Sequence, residues 1–179
     1  MLKKIVIKNF ISNRRGYLLY FTSNIIATME LFIFWGLKDI VLRAIKDQET
    51  ALDFYIDFIV ATGIISIITI MLMSFATIYY LKLRIKDYSL FIMLGLHRRE
   101  VYQLILMEFG IGWIVSEGIG IIGGAGTLYG IQEILKRIYP TLVEVKKISF
   151  NVYLHTFELG GGIVLGTFLT TIIGWKTRD

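Results

Sequence analysis

Long uncharged apolar runs, set apart by clumps of charge, constrain this chain more than any single motif. A hydrocarbon core of about 30 Å takes about 20 mainly apolar residues in helical form. Four runs of that size lie at about 16–37, 54–81, 101–122 with a helical extension towards 135, and 157–175. Hydrophobic residues make up 55% of the 179 and charged residues 18%, against about 25% charged in a soluble domain, and the mean hydropathy is +0.67. The expected fold class is therefore all-α: a polytopic membrane protein with four transmembrane helices. The net charge of +5 is what positive-inside loops produce, and nucleic-acid binding and disorder are disfavoured. There is no cysteine, so thiolate metal sites and disulfides are excluded, and His97 and His155 lack a second ligand at metal-binding spacing.

Residues 1–15 read as a cytoplasmic interfacial helix, with Ile5, Val6, Phe10 and Ile11 interleaved with Lys3, Lys4 and Lys8. Charge continuing to Arg15, and a long apolar run without a small-residue cleavage site, argue against a signal peptide. Residues 16–179 form the four-helix module. Twelve lysines and arginines fall in the N-terminal segment, the middle loop and the C-terminus, against seven in the other two loops. That asymmetry places both termini and the middle loop in the cytoplasm. Tyr17, Tyr20, Trp35, Tyr55, Tyr79, Tyr80 and Trp175 fall near span ends, as headgroup-level rings do.

Within the spans, Gly120 with Gly124, Gly126 with Gly130, and Gly162 with Gly166 have the four-residue spacing that lets membrane helices touch, within the chain or between chains. Glu30, Glu108 and Glu117 are intramembrane carboxylates, each costing at least about 2.5–3.5 kcal/mol unless it faces protein or water or is protonated. They could relay protons or cations. The structural alternative puts Glu108 near Arg98 and Arg99, and pairs Glu117 with a polar group on a neighbouring helix.

The middle loop is the most specific stretch. Lys86, Asp87 and Ser89 can start a short helix parallel to the membrane, and Gly95 can end it. Tyr88, Leu90, Phe91, Met93, Leu94 and Leu96 then lie outside the membrane between basic clusters, and something must cover them: a partner protein or the leaflet surface.

Here the chain resembles an FtsX-like permease, especially the bacitracin-export type of ATP-binding-cassette permease. The matching residues are Lys82, Arg84, Lys86, Tyr88, Leu90, Phe91, Leu94, Gly95, Arg98, Arg99, Glu108, Gly112 and Gly120. Arg15-Gly16-Tyr17-Leu18-Leu19-Tyr20 is similar to the opening of that type's first helix. The resemblance implies a permease module in the bacterial cell membrane, with a cytoplasmic coupling helix seated in a groove of a separate ATPase. It further implies export or extraction of peptides or lipid-like substrates, antimicrobial-peptide resistance among them. No GxxxxGK[ST] loop occurs, so no ATP site is expected in this chain, and ATP and Mg²⁺ belong to the partner. No catalytic residue set is found. The chain departs from the bacitracin type in lacking a large outer domain and in carrying one four-helix module. The remainder is expected from a second permease copy or a paralogous subunit, with membrane lipid as the other contact. Two alternatives stand beside this one: a nonenzymatic membrane immunity or regulatory protein, and a small ion-coupled transporter using Glu30, Glu108 and Glu117.

Overall fold

The computed structural model describes residues 14–44, 48–138 and 147–176; all but the last two residues of the expected interfacial helix lie outside them. The described chain folds into four helices: α1 (Arg14–Ala44), α2 (Gln48–Met93), α3 (Arg98–Ile138) and α4 (Phe150–Lys176). Three contain stretches long and apolar enough to cross a membrane: Tyr55–Arg84 of α2, Arg98–Arg137 of α3 and Phe150–Thr170 of α4.

The helices run well past the expected span ends. At 1.5 Å per residue, the 46 residues of α2 extend about 69 Å, roughly twice the hydrocarbon thickness. The separate coupling helix expected from Lys86 does not exist, because residues 86–93 continue α2 without a break. Nothing stops the helix earlier: between Gly63 and Gly95 the sequence holds neither glycine nor proline.

α1 is the central helix and packs most extensively on α3 and α2, whereas α2 and α3 touch each other sparsely. A Cβ added at Gly112 would lie 2.9 Å from the Tyr20 ring, one at Gly120 2.7 Å from Thr28 Cβ, and one at Gly124 3.0 Å from Phe32. Farther along the roles reverse, and Leu128 of α3 inserts at Gly36 of α1. Each step of eight or four residues on one helix is matched on the other, so α1 and α3 run parallel and keep step. Small residues on either side let the backbones approach this closely.

Three apolar clusters stack along the bundle. Tyr17, Tyr20, Tyr80, Tyr88, Leu104, Phe109 and Phe168 fill the end that holds the α2–α3 turn. Ala27, Met73 and Val164 occupy the middle, and Phe32, Ile40, Leu128, Ile148 and Val152 the opposite end. Tyr17, Tyr20 and Tyr80, expected near span ends, are thus buried core residues. Tyr55 and Tyr79 are exposed. Several buried hydroxyls bond back to carbonyls one turn earlier, as Thr77 does to Met73 and Thr156 to Val152, which satisfies them without water. In the most apolar window of α2 only 17% is buried by the rest of the chain, against 39% in that of α3. The outward face of α2 is left for lipid or another protein.

Candidate functional site

α2 ends and α3 begins in a tight, fully specified turn. Gly95 has φ +97°, a left-handed conformation that costs other residues about 1–2 kcal/mol. Leu96 N–H donates to Phe91 O at 3.1 Å, and Gly95 N–H to Ile92 O at 3.0 Å. This is the Schellman pairing that closes a helix on a glycine, and its usual apolar contact is supplied by Phe91 and Leu96, both packed on the aromatic core. On the other side His97 N–H donates to Glu100 Oε2 at 3.1 Å, one half of a capping box for α3.

The turn divides the residues singled out in the loop. Tyr88 is buried, while Phe91 and Leu96 face inward, so the chain itself covers them. Leu90, Met93 and Leu94 point away from the bundle, with Met93 76% and Leu94 78% exposed. Arg98 and Arg99 are exposed beside them; the Lys86 side chain lies outside the described residues. The tip is therefore an apolar knob with arginines at its base.

One level deeper sits a polar node. Glu108 of α3 is 1% exposed and Arg84 of α2 is 2% exposed. Arg84 Nη2 donates to Glu108 Oε1 at 2.7 Å, and Arg84 Nη1 to Asp87 at 2.6 Å. The Tyr80 hydroxyl donates to Glu108 Oε1 at 2.8 Å, and the Tyr88 hydroxyl to Oε2 at 3.2 Å. Burial pushes the Tyr88 phenol up to about 12, so at neutral pH it remains a donor. The guanidinium also lies over the rings of Tyr17 and Tyr88. Glu108 therefore pairs with Arg84, not with Arg98 and Arg99. The physical reason is height: ten helical residues separate Arg98 from Glu108, about 15 Å of rise.

The three membrane carboxylates do not converge. Glu117 accepts a hydrogen bond from Thr28 of α1 at 2.9 Å, the cross-helix partner expected of it, and is pressed by Gly160 of α4. Glu30 lies on the exposed side of α1.

Of the six glycines expected to pack, Gly120 and Gly124 do so against α1. Gly126, Gly130, Gly162 and Gly166 have nothing within 4 Å of an added Cβ. Helical phase explains the difference. At 100° per residue, Gly126 is about 200° round from Gly124, on the opposite face. The same step separates Gly162 from Gly160. Sequence reading missed Gly36, Gly160 and Gly161, the last against Trp113, because none of them has a second glycine four residues away.

A helical membrane protein with two long helices joined by a capped turn is the class this geometry defines. Residues 54–177 match the family model described as FtsX-like permease C-terminal, which covers most of the chain from early in α2 to the end of α4. The chain belongs to the FtsX-like permease family. No curated protein matches it. Permeases of this family work with ATPase partners as the membrane component of ATP-binding-cassette transporters.

Proposed function

We propose that this chain is the permease subunit of an ATP-binding-cassette exporter or mechanotransmission complex, and that its ATPase docks on the α2–α3 tip. The observation that carries the reading is the exposure of Leu90, Met93 and Leu94 at the end of a helix that outruns the membrane. Apolar side chains held out by a rigid turn need a covering surface, and Arg98 and Arg99 give that surface a charged rim. ATP and Mg²⁺ are bound by the partner. The tip and both termini lie in the cytoplasm of a bacterial cell, following the lysine and arginine asymmetry.

α1 acts as a fourth span. Its support is the stepwise pairing with α3 from Tyr20 to Gly36, about 24 Å of rise beside a helix apolar enough to cross the bilayer. The open glycines Gly126, Gly130, Gly162 and Gly166 and the uncovered face of α2 are where a second copy or a paralogous permease subunit fits. The substrate is a peptide or lipid-like molecule, with antimicrobial-peptide resistance as the physiological setting.

The test is a mild-detergent pull-down of the tagged chain from its native membrane, with Met93→Asp and Leu94→Asp as variants. Both sites are exposed, so insertion stays normal. Recovery of an ATPase with the parent and its loss with both variants is expected. An ATPase recovered equally with all three removes the tip from the interface, and none with any form removes the transporter reading. Phe91→Asp serves less well, because Phe91 packs inward and its loss would disturb the turn.

A further inference from the structure

We propose that Arg84 and Glu108, together with Tyr80 and Tyr88, form a clamp that joins the two arms of the α2–α3 hairpin and sets the spacing of their membrane portions. The functional half of this inference rests on the ATPase-coupled reading; the structural half stands without it.

α2 and α3 share a turn, yet along their length each packs chiefly on α1 and only sparsely on the other. Two arms joined at one end and bridged mainly through a shared third helix hold a direct spacing only where something ties them to each other. The Glu108 carboxylate is placed to do so, receiving Tyr80, Arg84 and Tyr88 of α2 on a single residue of α3. The node lies nine residues from Met93 on one arm and ten from Arg98 on the other, about 14–15 Å from the tip. At that height a small rotation of the tip becomes a change in the separation of the arms beyond it.

The chemistry fits a positioning role better than a purely stabilising one. Well-packed apolar residues hold a buried interface as firmly as an ion pair, often more so. A charged, directional pair sets one register, and it holds or lets go as a unit. Arg84 also bridges outward to Asp87, whose side chain is 43% exposed. A protein seated on the tip therefore reaches the buried carboxylate through one surface aspartate and one guanidinium. Glu117 offers the contrast: it is a buried carboxylate on the same helix, but its partner Thr28 is on α1, so it does not tie the hairpin arms.

The chain has no cysteine, so spin labels can be placed at introduced cysteines without background. Phe75 on α2 and Ile114 on α3 are both exposed and lie beyond the node from the tip. In lipid nanodiscs the doubly labelled Phe75→Cys/Ile114→Cys protein is expected to give one narrow distance. Glu108→Gln keeps the shape but removes the charge, and a second, longer distance population is expected. Glu117→Gln should leave the parent distance unchanged. If Glu108→Gln fails to insert, Tyr88→Phe is the milder lesion and should broaden the distance in the same direction. A parent-like distance in an inserted Glu108→Gln protein, or in Tyr88→Phe where it substitutes, overturns the clamp; so does an equal effect of Glu117→Gln. Where an ATPase co-purifies, ATP and Mg²⁺ should shift the parent distance and leave Glu108→Gln unresponsive while the ATPase stays bound. Absence of any ATPase defeats the coupling reading alone, since the nucleotide-free distances still decide the clamp.

Discussion

α3 is held on two sides by different physics. Against α1 it presents Gly112, Gly120 and Gly124 to Tyr20, Thr28 and Phe32, a seam of matched shapes spread over about three helical turns. Against α2 it presents one buried carboxylate to an arginine and two tyrosines. The seam sums many weak dispersion contacts, so it resists sliding and responds to volume. The hairpin adds a few directional bonds to the Tyr80–Phe109 ring contact and so responds to charge. A bundle built this way packs α1 on both α2 and α3 and concentrates the direct polar contact between α2 and α3 in one place.

The comparison breaks most visibly at Arg84. Arg84→Met strands Glu108 in the interior and should cost about 3–5 kcal/mol, read as a fall in the denaturation midpoint of the purified protein. Adding Glu108→Leu should restore most of the loss, which a contribution from arginine packing alone would not allow. Next comes the seam. Gly120→Leu drives new atoms into Thr28 and should cost about 1–3 kcal/mol, and no charge change nearby should rescue it. Gly95→Ala tests the turn, with an expected cost of about 1–2 kcal/mol from the left-handed backbone and no effect on the seam. The smallest effect belongs to Gly126→Leu, within about 0.5 kcal/mol in the isolated chain. If that substitution instead breaks up an oligomer on a sizing column, the open glycine face is an interface between subunits.

Much of this is legible in the sequence. Apolar runs marked three of the helices directly, and Gly95 was readable as a helix stop because the residues around it carry turn chemistry. The sequence reads as a separate coupling helix from Lys86, because the basic residues at 82–86 can end a membrane span. Charge ends a span, however, without ending a helix, and only glycine or proline would have ended this one. Only one of the three glycine pairs meets another helix of this chain, for a related reason. Four-residue spacing says that two glycines share a face, but not which face meets a neighbour. Glu108 could be picked out as costly in the membrane, whereas its partner could not. Arg84 is 24 residues away and looked like one more cation in a positive-inside loop.

The sequence by itself determined the solvent this protein lives in, the helices, and the point where α2 turns into α3, since hydropathy and local backbone chemistry act over one or a few turns. The tertiary structure alone decided which glycines touch, which aromatic residues are buried, and which of two arginine clusters meets Glu108. Those outcomes depend on the relative rotation and height of separate helices, and the summed packing of all four sets these quantities; no local stretch of chain encodes them.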